Sequence, residues 1–237
     1  MPADVPLPEL VLLPGMDGTG ELFAPFVEAL PDGFETTTVR FPGDESHSYS
    51  ELVEVVRRQL PESNLFVVVA ESFSTPLAIE LAAARPTNLA GLVLCAGFAA
   101  RPVRGPIRYV LPVLMALAFR TTLPRFLAEH LLLGPGVQEP LLTQVRDAVI
   151  SVRPRVLLDR LRAILRCDVR AELEKVDVPI LYLQATQDRL VPSGCGEEIR
   201  QIRPDVVIRR IDGPHLLLQR EPHIAADVVS AFVRKLC

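Results

Sequence analysis

A serine hydroxyl attacks a carbonyl only beside a base that takes its proton, and the base keeps the right tautomer only if an acid orients it. Three residues have the types and chain order for that chemistry: Ser72, Asp188 and His215. Ser72 stands in Ala70-Glu71-Ser72-Phe73-Ser74, directly after the apolar run Val67-Val68-Val69. A sharp strand-to-helix turn there lifts the hydroxyl above a sheet and aims a helix N-terminus at it. Such a turn needs small residues two places to either side, because it brings the flanking backbone close together. The usual pattern is G-x-S-x-G, and here Ala70 and Ser74 replace both glycines. On the pentapeptide alone, a plain helix N-cap fits Ser72 equally well.

The partners come from two further loops. Gln184-Ala185-Thr186-Gln187-Asp188-Arg189-Leu190-Val191-Pro192 places Asp188 just after an apolar strand, and Ile211-Asp212-Gly213-Pro214-His215 places His215 just after another. Taken singly, Asp188 reads as a turn cap and His215 as an exposed loop residue. Both nevertheless fall at the carboxyl ends of strands, where an open parallel sheet collects its ligands. His223 is the rival base, while His47 and His130 are expected at the surface or in an insertion. A fourth loop, Pro14-Gly15-Met16-Asp17-Gly18-Thr19-Gly20, is rich in glycine. No G-K-[ST] follows it and Gly18-x-Gly20 lacks a third glycine, so it is not a phosphate cradle. Its glycines would let a backbone N–H turn into the site and share a developing oxyanion with the N–H that follows Ser72.

The elements that must position these loops follow from periodicity. Short apolar runs bounded by turn residues predict strands at Leu10–Leu13, Thr36–Phe41, Leu65–Ala70, Gly91–Ala96, Val178–Gln184 and Val206–Ile211. Helical patterns separate them at Leu22–Leu30, Tyr49–Leu60 and Ser72–Ala84, and a last helix runs over Pro222–Leu236. Alternating strands and helices imply a mostly parallel sheet of about six strands flanked by helices, an α/β fold. The rhythm breaks between the fourth and fifth strands. Residues 99–168 carry helical runs at Ile107–Phe119, Leu123–Leu133, Glu139–Ser151 and Arg155–Arg166, with no convincing strand. The expected division is a core of 1–98 and 169–237 with an all-helical insertion at 99–168.

Four loops in this order resemble the α/β-hydrolase superfamily over essentially the whole chain. Pro14-Gly15-Met16 sits where many members have His-Gly-x, Asp188-Arg189-Leu190-Val191-Pro192 looks like their acid loop, and Gly213-Pro214-His215 with Glu221-Pro222 looks like their histidine loop and closing helix. The resemblance implies Ser72 as nucleophile, His215 as base, Asp188 as its orienter, and the N–H groups of Met16 and Phe73 as oxyanion hole. It implies a lid at the insertion, whose Leu111, Leu114, Met115 and Phe119 would line an acyl pocket. The activity implied is that of a serine carboxylesterase acting on a small-molecule ester or thioester, without cofactor or metal. Acyl transfer through the same triad, or binding of an apolar ligand without catalysis, stays open at this point. A haloalkane dehalogenase is disfavoured, because its nucleophile is an aspartate.

Composition narrows the partners. Of 237 residues 49% are hydrophobic and 23% charged, which excludes disorder and supplies a large core. Arginine provides 23 of the 25 basic residues. A nucleic-acid surface would want a cationic balance and stacking aromatics, whereas the net charge is -4 and Trp is absent. Many arginines instead fall between Arg101 and Arg166, where a cationic rim would receive an anionic carrier such as CoA. No basic-then-apolar leader opens the chain, and the apolar stretch Val110–Phe119 is too short for a membrane span. The expectation is a cytoplasmic protein. Cys95, Cys167, Cys195 and Cys237 lie far apart, so free thiols are expected and a structural zinc is not.

Overall fold

A computed structural model describes residues 6–103, 105–119 and 124–236. Six strands form one sheet: β1 (Glu9–Leu13), β2 (Thr36–Thr38), β3 (Phe66–Glu71), β4 (Leu89–Cys95), β5 (Ile180–Ala185) and β6 (Val207–Ile211). The order across the sheet is β2-β1-β3-β4-β5-β6, and every neighbouring pair is parallel. The chain winds from β1 to β2 on one side and then crosses to β3 on the other. The carboxyl ends of β1 and β3 therefore flank the switch point, where neighbouring loops diverge and leave a crevice.

The strands explain the two-sided core. All six residues of β3 are buried, as a sheet covered on both faces demands. Alternate side chains serve opposite layers: Val11, Val68, Leu92 and Tyr182 pack with helices α2 (Tyr49–Arg57) and α3 (Thr75–Ala83), while Leu10, Val67, Val93 and Leu181 pack toward α1 (Ala24–Glu28) and, from the C-terminal end, α11 (Pro222–Val233). Helix α2 opens with a capping box in which the Ser48 side chain accepts from the Glu51 N–H and the Glu51 carboxylate accepts from the Ser48 N–H.

The insertion carries α4 (Ile107–Ala118), α5 (Arg125–Ala128), a π-helical turn (Glu129–Leu133), α6 (Glu139–Ile150) and α7 (Pro154–Arg166). Its ends meet in a single antiparallel bridge between Ala100 and Asp168. Three short helices fill the remaining connections: α8 (Arg170–Leu173), α9 (Gly194–Ile202) and α10 (Leu217–Arg220).

Several expected boundaries shift for local reasons. The strand expected over Thr36–Phe41 stops at Thr38, because the Phe41 N–H turns away to the Gly18 carbonyl at 2.8 Å and Pro42 follows. The expected helix Leu22–Leu30 divides into a 3-10 turn, Glu21–Phe23, and α1, with Pro25 in the first turn of the latter. The expected helix Ser72–Ala84 begins as a 3-10 turn over Ser72–Ser74 and becomes α-helical only at Thr75. The start of the expected run at Leu123 and the thiol of Cys237 lie outside the described residues. Cys95, Cys167 and Cys195 are buried. No helix among the described residues is long and apolar enough to cross a membrane.

Candidate active site

Strand β3 delivers Ser72 into a backbone conformation that a serine adopts only under constraint. Its φ is 50°, in the left-handed region, and the helix resumes right-handed immediately afterward. Close neighbours hold the turn. The Thr75 hydroxyl bonds to the Ser72 carbonyl at 2.8 Å and accepts from the Phe98 N–H at 3.0 Å. The Tyr49 hydroxyl donates to the Phe73 carbonyl at 3.2 Å, and its ring stacks on Phe73 at 5.0 Å. Gly97 is obligatory behind this turn, since a Cβ there would lie 2.1 Å from Thr75 Cγ2.

One of the two substituted elbow positions gains a contact of its own. Ser74, where the usual pattern has glycine, turns its hydroxyl onto the Pro14 carbonyl and is fully buried. The replacement ties the elbow to the glycine-rich loop. Register does the rest: Leu13 pairs with Ala70, so the loop that follows β1 leaves the sheet beside the turn that carries Ser72.

His215 links the other two loops. Its Nε2 lies 2.9 Å from Ser72 Oγ and its Nδ1 2.8 Å from Asp188 Oδ2. The second carboxylate oxygen of Asp188 accepts from the N–H groups of Leu190 at 2.8 Å and Val191 at 2.9 Å, so both oxygens are engaged. The acid and histidine loops are laced together, with Thr186 N–H donating to the Ile211 carbonyl at 3.0 Å and Gln187 N–H to that of Gly213 at 2.9 Å. Ser72, Asp188 and His215, 143 residues apart at the extremes of the chain order, thus form one hydrogen-bonded chain. His223 sits exposed in the first turn of α11, His47 bonds to the Glu45 carbonyl, and His130 meets Arg189.

The electrostatics favour a charged imidazole. Burial pushes the His215 pKa down, but the hydrogen bond and charge of Asp188, helped by Glu71, outweigh it and the net direction is upward. Glu71, one residue before Ser72, was not singled out by any sequence pattern. Burial drives its carboxyl up to about 7; His215 and the Gln219 side chain oppose the rise and Asp17 adds to it. Gln219 donates to Glu71 Oε2 at 3.3 Å, while Glu71 Oε1 is buried without a hydrogen-bond partner. The signal for Glu71 was present only as a charged residue next to an apolar strand.

The residues expected to form one acyl pocket separate on α4. With about 100° between successive residues, Leu111, Met115 and Phe119 share one face and Val110, Val113 and Leu114 another. Leu111 and Met115 are half-buried, and Phe119 packs against Val152, Val156 and Leu157. Leu114 is 58% exposed and Val113 71%, so Leu114 does not join the others in an enclosed lining. A cleft of about 430 Å³ instead opens between α4 and α7, lined by Arg101, Arg108, Tyr109, Pro112, Arg162, Leu165 and Arg166.

The fold and the four loops define the class. Residues 10–228 match the Alpha/beta hydrolase family, and the chain belongs to that family. Among curated proteins it is similar to pimeloyl-[acyl-carrier protein] methyl ester esterases. One, from Methylococcus capsulatus, is 28% identical across 95% of this chain and 94% of its own length. Another, from Stenotrophomonas maltophilia, is 32% identical across 78% of this chain and 76% of its own length. An esterase structure from Exiguobacterium antarcticum superimposes with a TM-score of 0.83 at 14% identity, covering 96% of this chain and 92% of that one, which shows the shared fold. The expectation of an ester-cleaving enzyme on an α/β-hydrolase scaffold agrees with these relatives.

Proposed function

We propose that the protein is a serine carboxylesterase that cleaves a carboxylic ester or thioester with an apolar acyl group through an acyl-enzyme. The observation that carries this reading is the unbroken chain from Ser72 Oγ through His215 to Asp188. With the Nδ1 proton donated to Asp188, Nε2 is left to accept the Ser72 proton as Oγ adds to the substrate carbonyl. The carbonyl oxygen, now negative, is received by the N–H groups of Met16 and Phe73. Collapse of the adduct expels the alcohol or thiol, which takes the proton back from His215. Water, deprotonated by the same imidazole, then releases the acid and restores Ser72.

The relatives' name supports an acyl chain that reaches the site on an acyl-carrier protein. The arginines of the α4–α7 cleft supply forked cations suited to phosphate and carboxylate. In this reading residues 99–168 act as a lid over the core of 1–98 and 169–237, and the exposed apolar face of α4 meets the acyl chain. The buried free thiols of Cys95 and Cys167 suit a reducing cytoplasm.

A chain-length series of p-nitrophenyl esters and their carrier-linked counterparts tests the assignment. Hydrolysis that is lost in Ser72→Ala supports it, and an intact protein that hydrolyses none of them overturns it. Arg162→Ala with Arg166→Ala is expected to raise KM for the carrier-linked ester and leave p-nitrophenyl ester turnover unchanged. Equal KM for wild type and variant on the carrier-linked ester would remove the carrier role.

A further inference from the structure

Arg160 occupies a place that the pattern of α7 assigns to a hydrophobe. Val156, Leu157, Leu161 and Leu165 form the buried stripe of that helix, and Arg160 lies among them with 3% exposure. Buried arginine is rare unless its donors are met. Here they are met by main-chain carbonyls of the core: Nη1 donates to Met16 at 2.9 Å and to Asp17 at 2.8 Å, and Nη2 donates to Pro42 at 2.8 Å. The guanidinium also lies over the Phe41 ring, 5.8 Å from its centre. Burial pulls its pKa down to about 10, against the opposing pull of Asp17, so it remains a cation at neutral pH.

The glycine-rich loop is shaped around this group. Gly18 has φ 74°, and a Cβ there would lie 2.6 Å from Arg160 Nη1. The Gly18 carbonyl is held in turn by the Phe41 N–H at 2.8 Å, and Asp17 Oδ1 accepts from Thr19 N–H at 2.9 Å. Each carbonyl from Met16 to Gly18 therefore has a fixed donor, and two of the three are set by one side chain of the insertion.

We propose that Arg160 is a positioning residue: by clamping the Met16 and Asp17 carbonyls it holds the loop whose Met16 N–H receives the oxyanion, and it couples the seating of α7 to turnover. This rests on the serine-hydrolase reading above. A preorganised donor matters to the transition state far more than to substrate binding, so the loss falls on kcat. The carbonyls need a planar fork reaching two directions at once, which methionine lacks and lysine supplies only in part.

The test compares wild type, Arg160→Met, Arg160→Lys and Arg160→Ala on a p-nitrophenyl ester, with active sites counted by fluorophosphonate labelling of Ser72 and folding followed by circular dichroism. Per labelled site, Arg160→Met is expected to lose on the order of 10²-fold in kcat with KM changed by less than about threefold. Arg160→Lys is expected to recover only in part, to about threefold to tenfold below wild type in kcat, and guanidinium added below denaturing concentrations to restore part of the Arg160→Ala loss. Wild-type-like kcat per labelled site in folded Arg160→Met, or a loss that appears in KM alone, overturns the proposal while leaving the serine-hydrolase reading intact. If Arg160→Met and Arg160→Ala do not fold, Arg160→Lys decides: kcat per site equal to wild type with no change in KM counts against the clamp, and a kcat-only loss supports it. A wild-type protein that neither labels nor turns over fails the reading itself, and the proposal falls with it.

Discussion

The loops above the switch point and helix α4 of the insertion are both built from residues that the sequence marks as functional, yet they differ in how tightly the fold holds them. In the loops, Ser72, Asp188 and His215 are joined by hydrogen bonds of 2.8–2.9 Å, and the Asp188 and His215 side chains are 4% and 5% exposed. On α4, Val110, Val113 and Leu114 project outward with no comparable anchoring. The contrast follows from what each region must do. A transition state rewards atoms fixed within a fraction of an ångström, whereas a surface that receives an apolar chain needs only an apolar face.

The largest effect that separates the two regions is catalytic. Asp188→Asn is expected to reduce kcat by about 10⁴-fold, because the imidazole loses the partner that fixes its tautomer and stabilises its charge. Steady-state kinetics on a folded variant measure this, and a loss under tenfold would mean that another acid orients His215.

Stability is expected to separate the regions next. Leu94→Ala, in the buried centre of β4, should cost about 2–5 kcal/mol, and Val113→Ser on the outer face of α4 about 0.5 kcal/mol or less. Denaturant unfolding of both variants checks the pair. Similar losses would show that α4 is packed as firmly as the sheet.

The smallest expected effect sharpens the electrostatics of the site. His215 works as a base only when neutral, and ionised Glu71 helps keep it protonated. Glu71→Gln should therefore move the rising limb of the kcat/KM profile to lower pH. The same substitution has a stability signature. The folded pKa of Glu71, about 7, is raised above its ordinary 4.5, so its contribution is present below about 4.5 and is lost as pH rises through about 7. The variant should gain stability relative to wild type at pH 8 and not at pH 4. A pH profile that stays in place, or a gain equal at both pH values, would show that Glu71 is not coupled to the site in this way.

The elements were legible in the sequence wherever a single physical signal dominated. Val67-Val68-Val69 is apolar on both faces and became the central strand β3, and the helical pattern over Tyr49–Leu60 became α2. The three side chains of the hydrogen-bonded chain were legible because each follows a strand and the chain order matches a known pattern. What escaped was set by contacts between distant segments. Arg160 looks like one charged residue among many on an arginine-rich helix until α7 is laid against the 16–18 loop. Glu71 and Gln219 become partners only when 148 residues of chain bring them together. The division of α4 into a half-buried side with Leu111 and Met115 and an exposed side with Leu114 was not legible, because apolar residues recur on both sides of that stretch and periodicity there gives no preferred side.

The central claim is that Ser72 is a nucleophile activated by His215 and Asp188, and stoichiometric labelling tests it most directly. A fluorophosphonate probe added to the intact protein should modify one residue per chain, located at Ser72 by peptide mass analysis. Hydrolysis of a p-nitrophenyl ester should vanish in step with labelling, and Ser72→Ala should neither label nor turn over. Full labelling at another residue, or ester hydrolysis that persists after Ser72 is blocked, would contradict the account.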